Sequence, residues 1–143
     1  MQTFLPLPNF EKSFKCLDYK RLGKQRSEAK TIIKSLEIGT GWSNHPAVLM
    51  WKGFENALKM YHNLCITEWV SRHYKNNMEN FEIEGEIIFP PWFGDERFHA
   101  SHRSNLLRKN FEFYSRYGWG ESVDLPYFWP TKEYCTGISH VDS

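Results

Sequence analysis

Seven residues, Ala47, Trp51, Phe54, Leu58, Tyr61, Cys65 and Trp69, recur every three or four positions along one stretch of this chain. In an α-helix that spacing puts side chains on a single face, whereas a strand alternates every two. A stripe so long and so aromatic cannot stay wet, so other helices must cover it. The spacing predicts one helix, opened by Pro46 in the favoured first position and running to Tyr74.

Local signals place the covering elements. Pro6 and Pro8 bias their predecessors away from helix, so the opening residues should be extended. Asn9 can cap a short helix through Leu17, and Asp18 a second one to Glu37. Gly23 inside that second helix costs about 1 kcal/mol and marks a kink or a close approach by another backbone. Gly39 and Gly41 end it. Residues 75–93 read as loop, with a short extended piece at 86–89, because Pro90 and Pro91 forbid a helix there. Asp95 caps a third substantial helix through Asn110, with Phe98, Leu106 and Leu107 inward and His99, His102, Arg103 and Arg108 available for contacts. The remainder, from Tyr114, is rich in Gly, Pro and aromatics. The expected fold is all-α: one compact domain over residues 1–143, with three main helices and a long irregular aromatic-rich C-terminal tail.

Charge is segregated along the chain. The net charge is only +1, yet residues 12–34 carry eight Lys/Arg against Asp18 and Glu28, a net of +6. Residues 97–116 carry five against Glu112, a net of +4, and residues 79–96 carry six acids and no Lys or Arg, a net of −6. Such a distribution favours a polyanion on one face. Aromatics reach 17%, enough to supply both a core and surfaces for base stacking. Three widely spaced cysteines, Cys16, Cys65 and Cys135, suggest reduced thiols in a cytoplasmic compartment. No apolar run approaches spanning length, so no membrane is expected. No cofactor is expected either.

Four constellations could carry chemistry, each beside a plainer reading. At 100° per residue Arg21, Gln25, Glu28 and Ile32 form one row on the shoulder of the apolar stripe Leu22, Ala29, Ile33 and Leu36. Glu28 among Lys20, Arg21, Lys24, Arg26 and Lys30 is either a carboxylate poised over a polyanion or one half of a solvated Lys24–Glu28 pair. In the stretch 98–109, His99, His102, Arg103, Ser104 and Arg108 either grip phosphates or satisfy a partly buried helix. A zinc site at His99 and His102 lacks a third ligand, so no metal is expected. His45 either meets an anion or caps a helix. Tyr127, Phe128 and Trp129 between prolines either form a stacking platform or close the core.

In order and spacing these pieces resemble the pyrimidine-dimer DNA glycosylase family, the endonuclease V-type repair enzymes. RLGKQRSE at 21–28 is similar to the family's catalytic helix segment, with Glu28 at the place of its essential glutamate. Arg21 stands where that segment carries a His, and Ser27 where it carries an Arg. NHP at 44–46 and PYFWPT at 126–131 resemble the start of the central helix and the damage-contacting tail. TFLPLP, LDYKRLGKQR, WSNHPAVLMWKG, FHASHRSNLLRK and LPYFWP are closer to a bacterial and viral branch of it.

The resemblance implies an all-α fold and a glycosylase, with possible abasic-site lyase action, on double-stranded DNA carrying a damaged or modified pyrimidine. The reaction flips a nucleotide out of the stack and cleaves its glycosidic bond with carboxylate help. In the family an N-terminal α-amine, with a reference pKa of about 7.7–8, attacks the sugar C1′ and then supports β-elimination. That amine belongs to a Thr exposed by removal of Met; here Gln2 stands second, so Met1 supplies the amine, processing is unusual, or the covalent step is absent. The implied catalytic residues are Glu28, Met1 and Arg21. The implied DNA contacts are Lys24, Gln25, Arg26, His45, His99, His102, Arg103, Ser104, Arg108, Tyr127 and Trp129. A monomer is expected, associated with the nucleoid or, in a viral setting, in the host cytoplasm. The rival reading keeps the fold as a non-catalytic nucleic-acid-binding module. A third, action on a free nucleotide or nucleoside, would need a closed pocket in place of a basic groove.

Overall fold

A computed structural model describes residues 2–39 and 44–130 of the chain. Among these residues all regular structure is helical: α1 Phe10–Cys16, α2 Tyr19–Ile38, α3 Pro46–Leu49, α4 Glu55–Ser71, α5 Glu96–Lys109 and α6 Phe111–Tyr114. A 3-10 turn, Ser115–Tyr117, follows α6. The caps lie where local chemistry put them. Asn9 accepts from the Lys12 N–H at 2.8 Å, and Asp95 from the Arg97 N–H at 3.0 Å. Gly39, at φ 66°, returns its N–H to the Ser35 carbonyl and ends α2. Asp18 occupies the cap position of α2 but makes no capping bond; its carboxylate instead receives the Tyr114 hydroxyl and Arg21. That choice ties α6 to the start of α2.

The expectation of one helix from Pro46 to Tyr74 is corrected. The helix breaks after Leu49 and restarts at Glu55, with Gly53 at φ 89° in the corner. Glycine already disfavours a helix by about 1 kcal/mol and enters the left-handed region freely. The break lets Trp51 turn fully inward, where its indole meets Trp92 at 5.0 Å between centroids. Burying an indole, roughly 200 Å² at about 25 cal/mol per Å², gains about 5 kcal/mol before entropy, more than a turn of α-helix loses. The far end stops at Ser71, and His73, at φ 66°, carries Tyr74 back onto Trp69.

The two longest helices, α2 and α4, pack against each other. Their close approach explains Gly23: a Cβ there would lie 3.0 Å from Trp69 Cζ3. The neighbour is a ring rather than a backbone. Arg26 lies over the same indole at 4.0 Å, with Nη1 on Asn76 Oδ1 at 2.8 Å. The loop 75–93, free of strand, runs beside α4. Asn63 brackets Phe81 through both backbone groups, and Asn56 donates to the carbonyls of Glu84 and Glu86.

The opening segment is extended, as its prolines require, but it is also interior. Gln2, Thr3, Phe4, Leu5 and Pro6 are all buried. A buried backbone outside a helix or sheet must find side-chain partners, and here it does. Phe4 N–H donates to Gln25 Oε1 at 3.0 Å, Leu5 N–H to His102 Nδ1 at 2.9 Å, and His99 Nδ1–H to the Leu5 carbonyl at 2.7 Å. Arg103 donates to the Pro6 carbonyl and Trp51 Nε1 to Thr3 Oγ1. The Tyr61 hydroxyl lies 2.9 Å from the Phe4 carbonyl and 2.8 Å from Gln25 Oε1. The segment is therefore a rod threaded between α2, α4 and α5, and its first residues reach one face of α2.

Candidate functional site

On that face lies a pocket of about 400 Å³, within the usual size of ligand sites. Successive turns of α2 contribute Lys20, Arg21, Lys24, Gln25 and Glu28. Lys109 reaches it from the last turn of α5, Gln2 and Phe4 from the opening segment, and Tyr127 from the C-terminal part. Four cations thus surround one acid. Among the described residues none of the six acids of the 79–96 segment lines it.

Glu28 is half-buried. Among the described residues no side chain forms an ion pair or hydrogen bond with its carboxylate, so the solvated Lys24–Glu28 pair does not form. Its field nonetheless reaches neighbours. Burial pushes the His45 imidazole below its ordinary range, and the Glu28 carboxylate pulls the other way. The buried Tyr61 phenol is raised mainly by desolvation and also by Cys65 and Glu28. The cations crowd one another: Lys109 is lowered by burial and then by Arg21, Lys24 and Arg108. A cluster of cations that depresses its own member attracts anions strongly. Arg21 is steadied by Asp18 Oδ2 at 3.1 Å, which leaves most of its five donors uncommitted.

The row read from the helical repeat is realised in part. Arg21, Gln25 and Glu28 share the pocket, while Ile32 is core. Gln25 is buried, with its amide oxygen committed to Phe4 N–H, so it anchors the opening segment from the pocket floor. Arg26 is a correction. Two residues from Glu28, it points about 160° round the helix, onto Trp69 and away from the pocket. His45 caps α3, accepting the Ala47 N–H at Nδ1, and its ring meets Trp129 at 6.0 Å. Trp129 in turn lies 5.5 Å from Tyr127, so the aromatic segment joins the pocket through Tyr127.

The larger correction concerns α5. His99 and His102 do not face outward; they are 1% and 0% exposed and hold the two backbone groups of Leu5. Gly94 N–H donates to His99 Nε2, which fixes its proton on Nδ1. Arg103 pairs with Glu96 and with Glu121, the latter at 2.8 Å. Ser104 is buried, donating to the Ser122 carbonyl and accepting from Leu125 N–H. Arg108 binds the Val123 carbonyl and Asn105 Oδ1. These side chains organise residues 121–125 and the opening segment rather than presenting a phosphate-binding face. Polar residue types alone did not reveal that an irregular backbone needed them. Gln2, Phe4 and Lys109 line the pocket without having been named as site residues. Lys109 was legible as a helix-terminal cation of a basic run; the other two depend on the threading of the opening segment.

Met1 lies outside the described residues, as does Cys135, while Cys16 and Cys65 are free thiols. Among the described residues no group of three His, Cys, Asp or Glu could hold a metal, and no helix is long and apolar enough to cross a membrane. No curated protein and no solved structure matches the chain. The family described as pyrimidine dimer DNA glycosylase matches residues 1–81. That span holds the opening segment, all of α2 with its cations and Glu28, and the α3–α4 stripe that supports them. On this match the chain belongs to the pyrimidine dimer DNA glycosylase family.

Proposed function

We propose that the chain is a DNA glycosylase that cleaves the N-glycosidic bond of a damaged pyrimidine in duplex DNA, a pyrimidine dimer being the substrate class its family is named for. The observation that carries this reading is Glu28: a carboxylate without an ion-pair partner among the described residues, set in a pocket rimmed by Lys20, Arg21, Lys24 and Lys109. The cations bring phosphates to the rim. The carboxylate then faces the sugar, where positive charge develops at C1′ as the base leaves. An acid is costly among phosphates unless it does something there, and stabilising an oxocarbenium-like centre is such a task.

The duplex must open for this. Extruding a nucleotide costs a few kcal/mol, less at a distorted lesion. Tyr127, with Trp129 behind it, offers an aromatic wall against which an unstacked base can rest. Lys24 and Arg21 hold the flanking phosphates. The lyase half of the reaction needs a free amine that reaches the sugar C1′, and borohydride trapping decides whether this chain supplies one.

The test is incubation of the protein with a panel of lesion-bearing duplexes, read by strand scission with and without alkali. Alkali-dependent breaks at a pyrimidine dimer are expected for glycosidic cleavage, and alkali-independent breaks with borohydride-trapped adduct for the added lyase step. Salt-sensitive binding with no base release from any lesion would replace the enzyme by a binding module.

A further inference from the structure

Gln2 is 6% exposed and lines the same pocket as Glu28. Its amide oxygen accepts the Thr3 N–H at 2.8 Å. Its amide nitrogen is buried and has no hydrogen-bond partner among the described residues. A buried donor left unmade is costly, and such a group in a binding pocket marks a place where a ligand acceptor completes the bond. The oxygen being committed, Gln2 offers the ligand a donor and no acceptor.

We infer that the Gln2 carboxamide donates to O2 of the departing pyrimidine. This rests on the glycosylase reading above and adds a base-recognising group to it. When the C1′–N1 bond breaks, its electron pair passes to the pyrimidine ring. C2=O2 is the carbonyl conjugated directly to N1, so negative charge collects on O2. The incoming nucleophile, water or an amine, bonds to C1′ and gives up one proton, which the base anion takes. Glu28 answers the positive charge on the sugar, and the Gln2 amide answers the negative charge on the base. A donor fixed in advance toward an oxygen that gains charge acts more strongly in the transition state than in the ground state. Thr3 N–H orients that donor, and the Leu5 clamp of His99 and His102 holds the segment that carries it.

Gln2→Glu and Gln2→Met test this, both keeping a bulky second residue so that removal of Met1 is not altered. Gln2→Glu keeps the acceptor for Thr3 N–H and loses the donor; Gln2→Met keeps the shape and loses both. The probes are a duplex with one cis-syn thymine dimer and a duplex with a tetrahydrofuran abasic analogue, which has no base to read. Cleavage of the glycosidic bond at the dimer, read as alkali-labile breaks, should fall about 100-fold in each variant, with the affinity of the uncharged Gln2→Met variant for the abasic duplex unchanged. Glycosidic cleavage at the wild-type rate in both variants overturns the inference and leaves the glycosylase reading standing. Parallel loss of cleavage and of abasic-duplex affinity in Gln2→Met overturns it too, leaving Gln2 as a support of the opening segment. A wild-type chain that leaves no alkali-labile site at the dimer overturns both readings.

Discussion

Two basic helices of this chain look alike in sequence and behave in opposite ways. In α2 the cations Lys20, Arg21 and Lys24 line an open pocket, and a lone carboxylate sits among them. In α5 the cations and histidines turn onto the protein itself: Arg103 onto Glu96, Glu121 and Pro6, Arg108 onto the Val123 carbonyl, His99 and His102 onto Leu5. The difference lies in what each helix has opposite it. One face of α2 meets regular helix, whose backbone is already satisfied. The helix α5 meets two irregular segments, and every buried carbonyl and N–H in them needs a partner. A basic run thus says little about ligands until the backbone beside it has been accounted for.

That contrast predicts different failures on the two sides. His102→Ala leaves Leu5 N–H without an acceptor and opens a cavity between Phe4, Phe98 and Tyr127. It should cost about 3 kcal/mol of unfolding free energy in urea titration, and a loss below about 0.5 kcal/mol would mean that Leu5 is not held there. Arg103→Ala removes bonds to two carboxylates and a carbonyl from a side chain only 11% exposed. About 2 kcal/mol of destabilisation is expected, with no change in the salt dependence of duplex binding by the folded fraction.

Acid should sharpen the same contrast. Burial pushes both imidazoles below the ordinary 6.5, His102 furthest and His99 also against its bond to Leu5. The unfolded chain therefore takes up protons first. The clamp's stability is full above about pH 6.5 and declines as pH falls toward the lowered native values, by up to about 1.4 kcal/mol for each unit of depression. Denaturation midpoints at pH 5, 6, 7 and 8 check this, and a midpoint that rises toward pH 5 contradicts it. On the α2 side the effects on stability are smallest. Lys20→Ala and Lys24→Ala should stay within about 0.5 kcal/mol of the parent. Each should weaken duplex binding and lower the slope of log affinity against log salt by about 1. An unchanged slope would remove these lysines from the phosphate-facing rim.

How far the sequence reached follows from the same physics. Helices with local start signals, at Asn9, Asp18, Pro46 and Asp95, begin where those signals stand, although Asp18 makes no capping bond and His45 caps the helix that Pro46 opens. The pocket row Arg21, Gln25, Glu28 was visible because helical geometry fixes which side chains are neighbours. The same geometry already turned Arg26 away from Glu28, but its membership of a charge run obscured that. The break at Gly53 was hidden because the three-and-four spacing runs on through a turn that keeps Trp51 buried. The inward histidines and the role of Gln2 could not be read locally at all. They depend on an extended segment passing beside α5 nearly a hundred residues away in the chain, and extended segments with prolines carry no periodic signature.

The central claim is that the half-buried carboxylate in the cationic pocket drives base departure. Glu28→Gln keeps the side chain's size and removes its charge, so it separates chemistry from binding. Single-turnover cleavage of the glycosidic bond in a thymine-dimer duplex, read as alkali-labile breaks, should drop at least 100-fold in this variant, with duplex affinity equal to or above that of the parent. Cleavage at the parental rate by a folded, DNA-binding Glu28→Gln protein would contradict the account.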